Sequence, residues 1–406
     1  MRGMTSEWKS SRVVVHPRAR GSRVCCFGDI QEHEVLAEMS AGASPELRTA
    51  LESSKTLARS PDLSWITNFP VLPMLPTALP DPVLQVTREE FAVDPAIGAT
   101  SGLLAVDWIG EAVRQEAPEL LIVVFPGVGT NSRSGFAAMT AHHCAHHCPK
   151  WRVGVAVLQG HDGLQMHTEK IVSSAYPSSA DAGRVLEFAA AAHPGIPIVP
   201  ICCSVGCAHF TYWAINFPDR VKQLGVVGSV MVCHGAKSHL SANAVDASVA
   251  TRAFILQEGK KNITKSPPCE RFLAQSFPDF AGLRSLLEAK TLEEWDRLCL
   301  PLYGFKTRAE MLDFVNATDE KLRRLDIPTI FINADDDPVT PAGRLAECNF
   351  LKVVPNCATI RTLRGAHMAW WEGSIWDLRQ DWSRELVAEL VEALAQMKPA
   401  SRSPDQ

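Results

Sequence analysis

The segment Pro197-Ile198-Val199-Pro200-Ile201-Cys202-Cys203-Ser204-Val205-Gly206-Cys207-Ala208 contains an apolar, β-branched run that ends abruptly at Ser204. Residues 208–214 follow it with the apolar content of a helix start. A strand, a sharp turn and a helix in this order can present a serine between two small residues as a nucleophile. Gly206 is the small residue after the serine, and Cys202 stands where glycine is usual before it. A catalytic serine and an ordinary loop serine both remain open at this point.

Composition narrows the class of protein. The chain has 406 residues, of which 46% are hydrophobic and 21% charged, as expected for a globular protein with a sizeable core. A net charge of −5 gives no electrostatic reason to expect binding to nucleic acid. The 12 cysteines lack the spacing of a disulfide framework or a zinc ribbon, which favours a reducing, intracellular compartment, cytoplasmic or organellar. No apolar run is long enough to predict a transmembrane span.

The N-terminal residues differ in composition from the rest. Basic side chains recur between Arg2 and Arg23, among several serines, and only Glu7 opposes them before Asp29. This pattern is typical of an organelle transit peptide and equally of a disordered basic tail. We therefore predict that residues 1–60 form a segment outside the fold. We assign the folded domain to residues 61–400 and a disordered tail to residues 401–406.

Strand and helix patterns alternate through most of that domain. Apolar strand patterns lie at 120–125, 153–158, 197–203, 224–232, 327–334 and 358–363, and helical patterns lie at 134–148, 181–192 and 381–397. Such alternation predicts an α/β fold with a mostly parallel, doubly wound sheet. Helical patterns replace the strands from about residue 233 to 324, which predicts a helical lid or cap inserted into the domain.

Three residues with complementary chemistry follow predicted strands, in the order Ser204, Asp337, His367. A serine hydroxyl is a weak nucleophile until an imidazole takes its proton, and a carboxylate orients the imidazole and stabilises its charged form. Ser…Asp…His is the chain order of α/β-hydrolases. Among three adjacent acids, Asp337 is favoured because Pro338 follows it in a turn, and Asp336 is the alternative. The sequence therefore predicts a catalytic triad.

The turn Pro126-Gly127-Val128-Gly129 directly follows the first strongly apolar strand pattern. A glycine turn there can direct a backbone N–H into the cleft where open α/β sheets bind ligands. We therefore expect the Val128 N–H to be one donor of an oxyanion hole. An ordinary turn between strand and helix is the alternative.

Two other clusters have competing interpretations. His142 and His146, and likewise His143 and His147, have the i, i+4 spacing that can hold zinc on a helix. No third ligand lies nearby in the sequence, so we expect solvated histidines and no metal site. The tryptophans near the C-terminus suggest either a face for peripheral membrane contact or core packing beside the last helix, and core packing is favoured (Trp370, Trp371, Trp376 and Trp382).

The ordered set of motifs resembles the YheT-type branch of the α/β-hydrolases, which contains embryogenesis-associated proteins and abhydrolase-domain lipases. The resemblance covers about residues 85 to 395. The matching motifs are Asp107-Trp108, Phe125-Pro126-Gly127, Cys203-Ser204-Val205-Gly206, Glu293-Glu294-Trp295-Asp296, Leu302-Tyr303-Gly304-Phe305, Asn333-Ala334-Asp335-Asp336-Asp337-Pro338 and Gly365-Ala366-His367-Met368-Ala369-Trp370-Trp371-Glu372-Gly373.

This resemblance implies a serine esterase or lipase that uses no cofactor and acts on acylglycerols, phospholipids or simpler carboxylic esters. It implies Ser204 as nucleophile, Asp337 as acid and His367 as base. It also implies the N–H groups of Val128 and Val205 as oxyanion donors. Two alternatives use the same fold: a catalytically silent binding protein, and an acyltransferase with the same triad.

Overall fold

A computed structural model of the chain describes residues 11–14, 35–59, 61, 63, 85–96, 102–110, 118–159, 161–164, 181–235, 242–243, 245, 247–264, 286–303, 305–340, 350–372 and 381–397. The strands are β1 (Ser11–Val14), β2 (Val35–Met39), β3 (Val86–Ala92), β4 (Leu103–Ile109), β5 (Leu120–Phe125), β6 (Trp151–Val157), β7 (Ile198–Cys203), β8 (Ser229–Val232), β9 (Thr329–Ala334) and β10 (Cys357–Thr362). The helices are α1 (Pro45–Ser53), α2 (Gly135–His147), α3 (Asp181–Ala192), α4 (Val205–Asn216), α5 (Pro218–Gln223), α6 (Val249–Thr264), α7 (Leu292–Tyr303), α8 (Arg308–Val315), α9 (Asp319–Leu322), α10 (Phe350–Val353) and α11 (Trp382–Ala395).

The strands within these residues form one sheet, in the order β1-β2-β10-β9-β8-β7-β5-β6-β4-β3. The six strands from β10 to β6 in this order are parallel to one another. Strand β4 pairs antiparallel with β6, and β3 pairs antiparallel with β4. A mostly parallel sheet with helical crossovers confirms the predicted fold class. The chain has the α/β-hydrolase fold.

The sheet is covered by helices on both faces. Leu386 and Leu390 of α11 and Phe136 of α2 belong to the core on one face, and Leu186 of α3 and Phe210 of α4 belong to the core on the other. Every residue of β5, β7 and β9 is buried. This burial explains why these strands are continuous apolar runs in the sequence and lack a period of two.

Pro200 lies in the central strand β7, where proline removes a backbone donor. Ile198 directs its own N–H and C=O toward the β8 side. Because backbone direction alternates along a strand, the nitrogen of Pro200 faces the same side. Ile198 pairs with Val226, whereas Ile201 pairs with Val230, so the β8 side carries one extra residue across this interval. The proline therefore sits at a β-bulge, where a missing donor is tolerated.

The strand predicted at 224–232 is shorter in the structure. Helix α5 begins at Pro218, and Gly225 closes its end by donating from its N–H to the Lys222 carbonyl at a φ of +77°. Glycine is favoured in this left-handed conformation after a helix. The extended backbone of a strand can begin only after this turn. Strand β8 therefore starts at Ser229.

The boundary predicted at residue 60 needs correction. Strand β2 pairs antiparallel with β10, and alternate residues of β2 are buried. Leu47 of α1 is fully buried, and the Ser54 hydroxyl donates to the Glu389 carboxylate at 2.6 Å. The folded part therefore begins before residue 61. The sequence did not reveal this because pairing with a strand more than 300 residues away leaves no local signal.

The helices α6 to α9 fall between β8 and β9, within the segment predicted to be a cap. A Cβ atom on Gly129 would lie 2.6 Å from Glu258 Oε2 of α6, so this helix packs on the turn after β5. The role of the segment as a lid stays a prediction. Within the part of the chain described above, no helix is both long enough and apolar enough to cross a membrane.

Replacement of Leu47 by alanine tests whether α1 belongs to the folded core. We expect the free energy of unfolding, measured in urea, to fall by about 2–5 kcal/mol, because a fully buried leucine is removed. Thr49→Ala on the exposed side of the same helix is the matched control, with an expected change below about 0.5 kcal/mol. Equal, small effects of both substitutions would contradict the corrected boundary.

Candidate active site

Ser204 occupies a strained turn between β7 and α4. Its φ is 51° and its ψ is −117°, a conformation that non-glycine residues rarely adopt. Its N–H donates to the Val232 carbonyl at 2.9 Å, which ties the turn to β8. A Cβ atom on Gly206 would lie 2.2 Å from the Phe125 carbonyl oxygen, so only glycine fits there. This close approach is the physical reason for the glycine two residues after the serine.

The two cysteines around this turn act as small packing residues. Cys202 and Cys207 are both fully buried, and the Cys207 thiol donates to the Cys202 carbonyl at 3.1 Å. Burial raises the pKa of both thiols well above the usual value, so both remain neutral. Cys202 therefore stands in place of the usual glycine as a small, neutral packing residue.

Three side chains form a hydrogen-bonded chain at the carboxyl ends of β7, β9 and β10. Ser204 Oγ lies 2.8 Å from His367 Nε2, and His367 Nδ1 lies 2.8 Å from Asp337 Oδ2. Asp337 and His367 are buried, whereas Ser204 is half-buried. The structure thus brings together the three residues that the sequence singled out, in the geometry of an activated serine.

Asp337 is held by a compact set of donors. Its Oδ1 accepts from the N–H groups of Val339 at 2.7 Å and Thr340 at 2.8 Å, and its Oδ2 accepts from the Thr340 hydroxyl at 2.6 Å. Burial alone would raise the pKa of Asp337. The charge of His367 and the hydrogen bonds from His367 and Thr340 outweigh burial and lower this pKa. The carboxylate is therefore charged and fixed in orientation.

Asp336, the alternative acid, has a different role in the structure. Its Oδ1 accepts from the Ala366 N–H at 2.9 Å and so supports the loop that carries His367. Burial raises the pKa of Asp336 from 3.8 to about 6, and the Ala366 N–H opposes this shift. Asp337, and not Asp336, contacts the imidazole.

The turn after β5 lies against the serine. A Cβ atom on Gly127 would lie 3.2 Å from Ser204 Cβ. Val128 and Val205 line a common cleft, which Gly127 and the buried His209 also line. Val205 opens α4, so its N–H has no acceptor within the helix. Neither the Val128 nor the Val205 amide donates to another group among the described residues.

Sequence reasoning missed an ionic network that supports this turn. Asp107 is fully buried in β4 and accepts from Arg88 Nε at 2.7 Å and Nη2 at 2.8 Å. Asp107 also accepts from the Ser132 hydroxyl in the segment after the turn. An acidic residue inside an apolar strand pattern was the available signal. Thr340 was also missed, although an aspartate in a turn commonly accepts from backbone N–H groups two or three residues later.

The histidine-rich helix α2 does not gather a ligand set among the residues described. The His142 and His146 rings lie 4.0 Å apart, and His147 Nε2 lies 3.4 Å from a Glu392 carboxylate oxygen of α11. Within the described part of the chain, only Cys233, Asp337 and His367 bring three donor atoms within 4.8 Å of one another. Asp337 and His367 use their facing atoms for the hydrogen bond that they share.

Three of the C-terminal tryptophans are fully buried: Trp370, Trp371 and Trp382. The Trp370 Nε1–H donates to the Thr362 hydroxyl at 2.8 Å, and the Trp382 Nε1–H donates to the Thr56 carbonyl at 3.2 Å. These side chains pack in the interior, so the membrane-facing interpretation is wrong for them. Trp376 lies outside the described residues.

Comparisons with known proteins give matches of structure alone. No protein-family model matches the chain, and no curated protein matches it. Est1E from Butyrivibrio proteoclasticus aligns at 13% identity over 76% of this chain and 99% of its own, with a TM-score of 0.45. The esterase Est22 aligns at 14% identity over 88% and 95%, with a TM-score of 0.43. A membrane phospholipase A, a bacterial virulence factor, aligns at 12% identity over 77% and 87%, also at 0.43. Similarity at this level is one of fold and does not extend to substrates.

The raised pKa of Asp336 predicts how stability changes with pH. An acid whose pKa rises on folding destabilises the folded state as it ionises, so the ionisation of Asp336 lowers the stability of the wild type between about pH 4 and 6. The Asp336→Asn variant keeps an acceptor for the Ala366 N–H and carries no charge. The unfolding free energy of the variant minus that of the wild type should increase by about 1–3 kcal/mol between pH 4 and pH 7. Urea titrations across this range measure the difference, and a difference independent of pH would contradict the assignment.

Proposed function

We propose that the protein is a serine hydrolase that cleaves carboxylic esters through an acyl-enzyme on Ser204. The observation that supports this proposal is the continuous hydrogen-bonded chain from Ser204 through His367 to Asp337. The distance from Ser204 Oγ to His367 Nε2 and the distance from His367 Nδ1 to Asp337 Oδ2 are both 2.8 Å. The strained backbone of Ser204 adds support, because such strain clusters at functional sites.

The proposed reaction has two halves. Ser204 Oγ attacks the ester carbonyl carbon while His367 Nε2 takes the hydroxyl proton, and Asp337 stabilises the imidazolium. The C–O bond to the alcohol then breaks, and His367 gives the proton to the departing oxygen. Water, deprotonated by the same imidazole, attacks the acyl-enzyme carbonyl carbon. The bond between the acyl carbon and Ser204 Oγ then breaks, His367 returns the proton to Oγ, and the carboxylic acid leaves.

The amides of Val128 and Val205 are the proposed oxyanion donors. Both residues line one cleft, and each is next in the chain to a residue of the serine site: Val205 follows Ser204, and Val128 follows Gly127, which lies against Ser204. Neither amide has another acceptor among the residues described. An oxyanion at this position would accept both N–H groups as its charge develops. One such donor typically contributes about 100- to 1,000-fold in rate.

For the substrate class we propose lipid esters, such as monoacylglycerols, phospholipids or short- to medium-chain acyl esters. The resemblance of the motifs to the YheT-type branch supports this choice, and membership in that branch stays a prediction. The cleft offers both apolar walls at Ala156, Val157 and Leu158 and polar groups at Thr130 and His161. An ester with an apolar acyl part and a polar alcohol part has the matching chemistry.

Labelling with a fluorophosphonate probe tests the nucleophile. The wild type should be labelled and should hydrolyse p-nitrophenyl esters, and a series of increasing chain length should define the preferred acyl group. Ser204→Ala should abolish labelling and lower kcat by about 10⁶-fold, because the bond-forming oxygen is gone. A folded wild type that is neither labelled nor active would instead indicate a silent binding protein.

The acceptor in the second half-reaction is tested by product analysis. With added alcohols or amines, a hydrolase should still release mainly free carboxylic acid. Predominant formation of a new ester or amide would assign the protein as an acyltransferase that uses the same acyl-enzyme.

Paired substitutions test which acid acts. Asp337→Asn should lower kcat by about 10⁴-fold, because the amide no longer holds the imidazole in the required tautomer. Asp336→Asn should change kcat by less than about tenfold, since an amide oxygen can still accept from Ala366. Steady-state kinetics on one p-nitrophenyl ester gives both values, and a larger loss in the Asp336 variant would reverse the assignment.

A further inference from the structure

Cys233 directly follows β8. This strand lies between β7, which leads to Ser204, and β9, which leads to Asp337. Cys233 donates from its N–H to the Ile332 carbonyl of β9 at 2.8 Å. Its side chain is fully buried. Cys233 therefore belongs to the rim of strand ends that carries the proposed triad, although the mechanism above gives it no role.

The thiol is close to both buried members of that triad. Cys233 Sγ, a carboxylate oxygen of Asp337 and a ring nitrogen of His367 all lie within 4.8 Å of one another. Burial first, and then the charge of Asp337, raise the pKa of the Cys233 thiol well above its usual value. The sulfur is therefore a neutral S–H. Because a carboxylate can only accept, this S–H can serve Asp337 as a donor.

The backbone is strained at two positions beside this cluster. Cys233 has a φ of +55°, and Met368, which follows His367, has a φ of +62°. Non-glycine residues adopt such angles at a cost, and they persist where the surrounding structure over-determines them. The thiol thus lies close both to the imidazole on the strained loop that carries His367 and to the acid that orients it.

We propose that Cys233 is a positioning residue, whose S–H donates to the Asp337 carboxylate and holds it in register with the His367 imidazole. This inference rests on the proposed function, because it assigns Cys233 a role through the Asp337–His367 pair. A thiol is a weak donor, so its effect should be modest compared with loss of the acid itself.

Loss of the S–H donor has a signature in the pH profile. The titratable groups that face Asp337 are His367, the neighbouring Asp336 and Cys233 itself. Without the thiol donor, the carboxylate charge is less well satisfied, and the Asp337–His367 pair holds its proton to higher pH. The acid limb of kcat/KM should then move upward. Asp336 titrates near pH 6, so the profile is best measured in Asp336→Asn protein.

The experiment compares Cys233→Ala with Cys233→Ser in that background. The alanine variant should lose about threefold to tenfold in kcat/KM, the size of one ordinary hydrogen bond. Its acid limb should move up by about half a pH unit. The serine variant keeps a donor of similar size and should restore both values. Thermal unfolding of each variant monitors folding, and Cys233→Gly, which suits the positive φ, replaces alanine if that variant is unstable.

The possible results distinguish failure of this inference from failure of the proposed function. An alanine variant with the rate and profile of the wild type would overturn the inference. So would equal impairment of the alanine and serine variants, because the thiol would then act only through its volume. If the folded wild type shows neither labelling nor ester hydrolysis, the proposed function fails and this inference fails with it.

Discussion

A carboxylate without solvent contact, Asp337, imposes the main constraint on this structure. A buried charge is costly unless donors surround it. Two backbone N–H groups, the Thr340 hydroxyl and His367 Nδ1 supply them. These bonds fix the orientation of the carboxylate, and the carboxylate in turn fixes the orientation of the imidazole. Nε2 then points at Ser204, so the geometry of the serine follows from how the acid is satisfied.

That constraint can be met only by a sheet whose strands end together. Ser204 and His367 are 163 residues apart in the chain, yet they share a hydrogen bond. Their strands are brought to one rim because β7, β8, β9 and β10 are adjacent and parallel. Each parallel connection needs a crossover, and the helices that cross also cover the sheet. The fold and the site are thus consequences of the same arrangement.

Local sequence patterns predicted the features that depend on local structure. Helix α3 lies at Asp181–Ala192, where its apolar spacing placed it, and the strand end at Ser204 was also visible. The chain order of Ser204, Asp337 and His367 also predicted one meeting of distant residues, but other features that depend on distant partners were not predicted. Strand β2 pairs with β10, and the bulge at Pro200 depends on the register of β8. The proximity of Cys233 to Asp337 likewise requires two strand ends to meet, which no pattern within either strand reports.

The departures from the glycine pattern around Ser204 follow from which positions face a backbone carbonyl. Gly206 approaches the Phe125 carbonyl so closely that a Cβ atom has no room. Cys202 instead belongs to the core cluster that includes Phe125 and Phe210, so its side chain has an apolar place to lie. A small thiol fills that place and stays neutral. The steric requirement at this turn is therefore strict at Gly206 and relaxed at position 202, which explains how the turn keeps its geometry with a cysteine there.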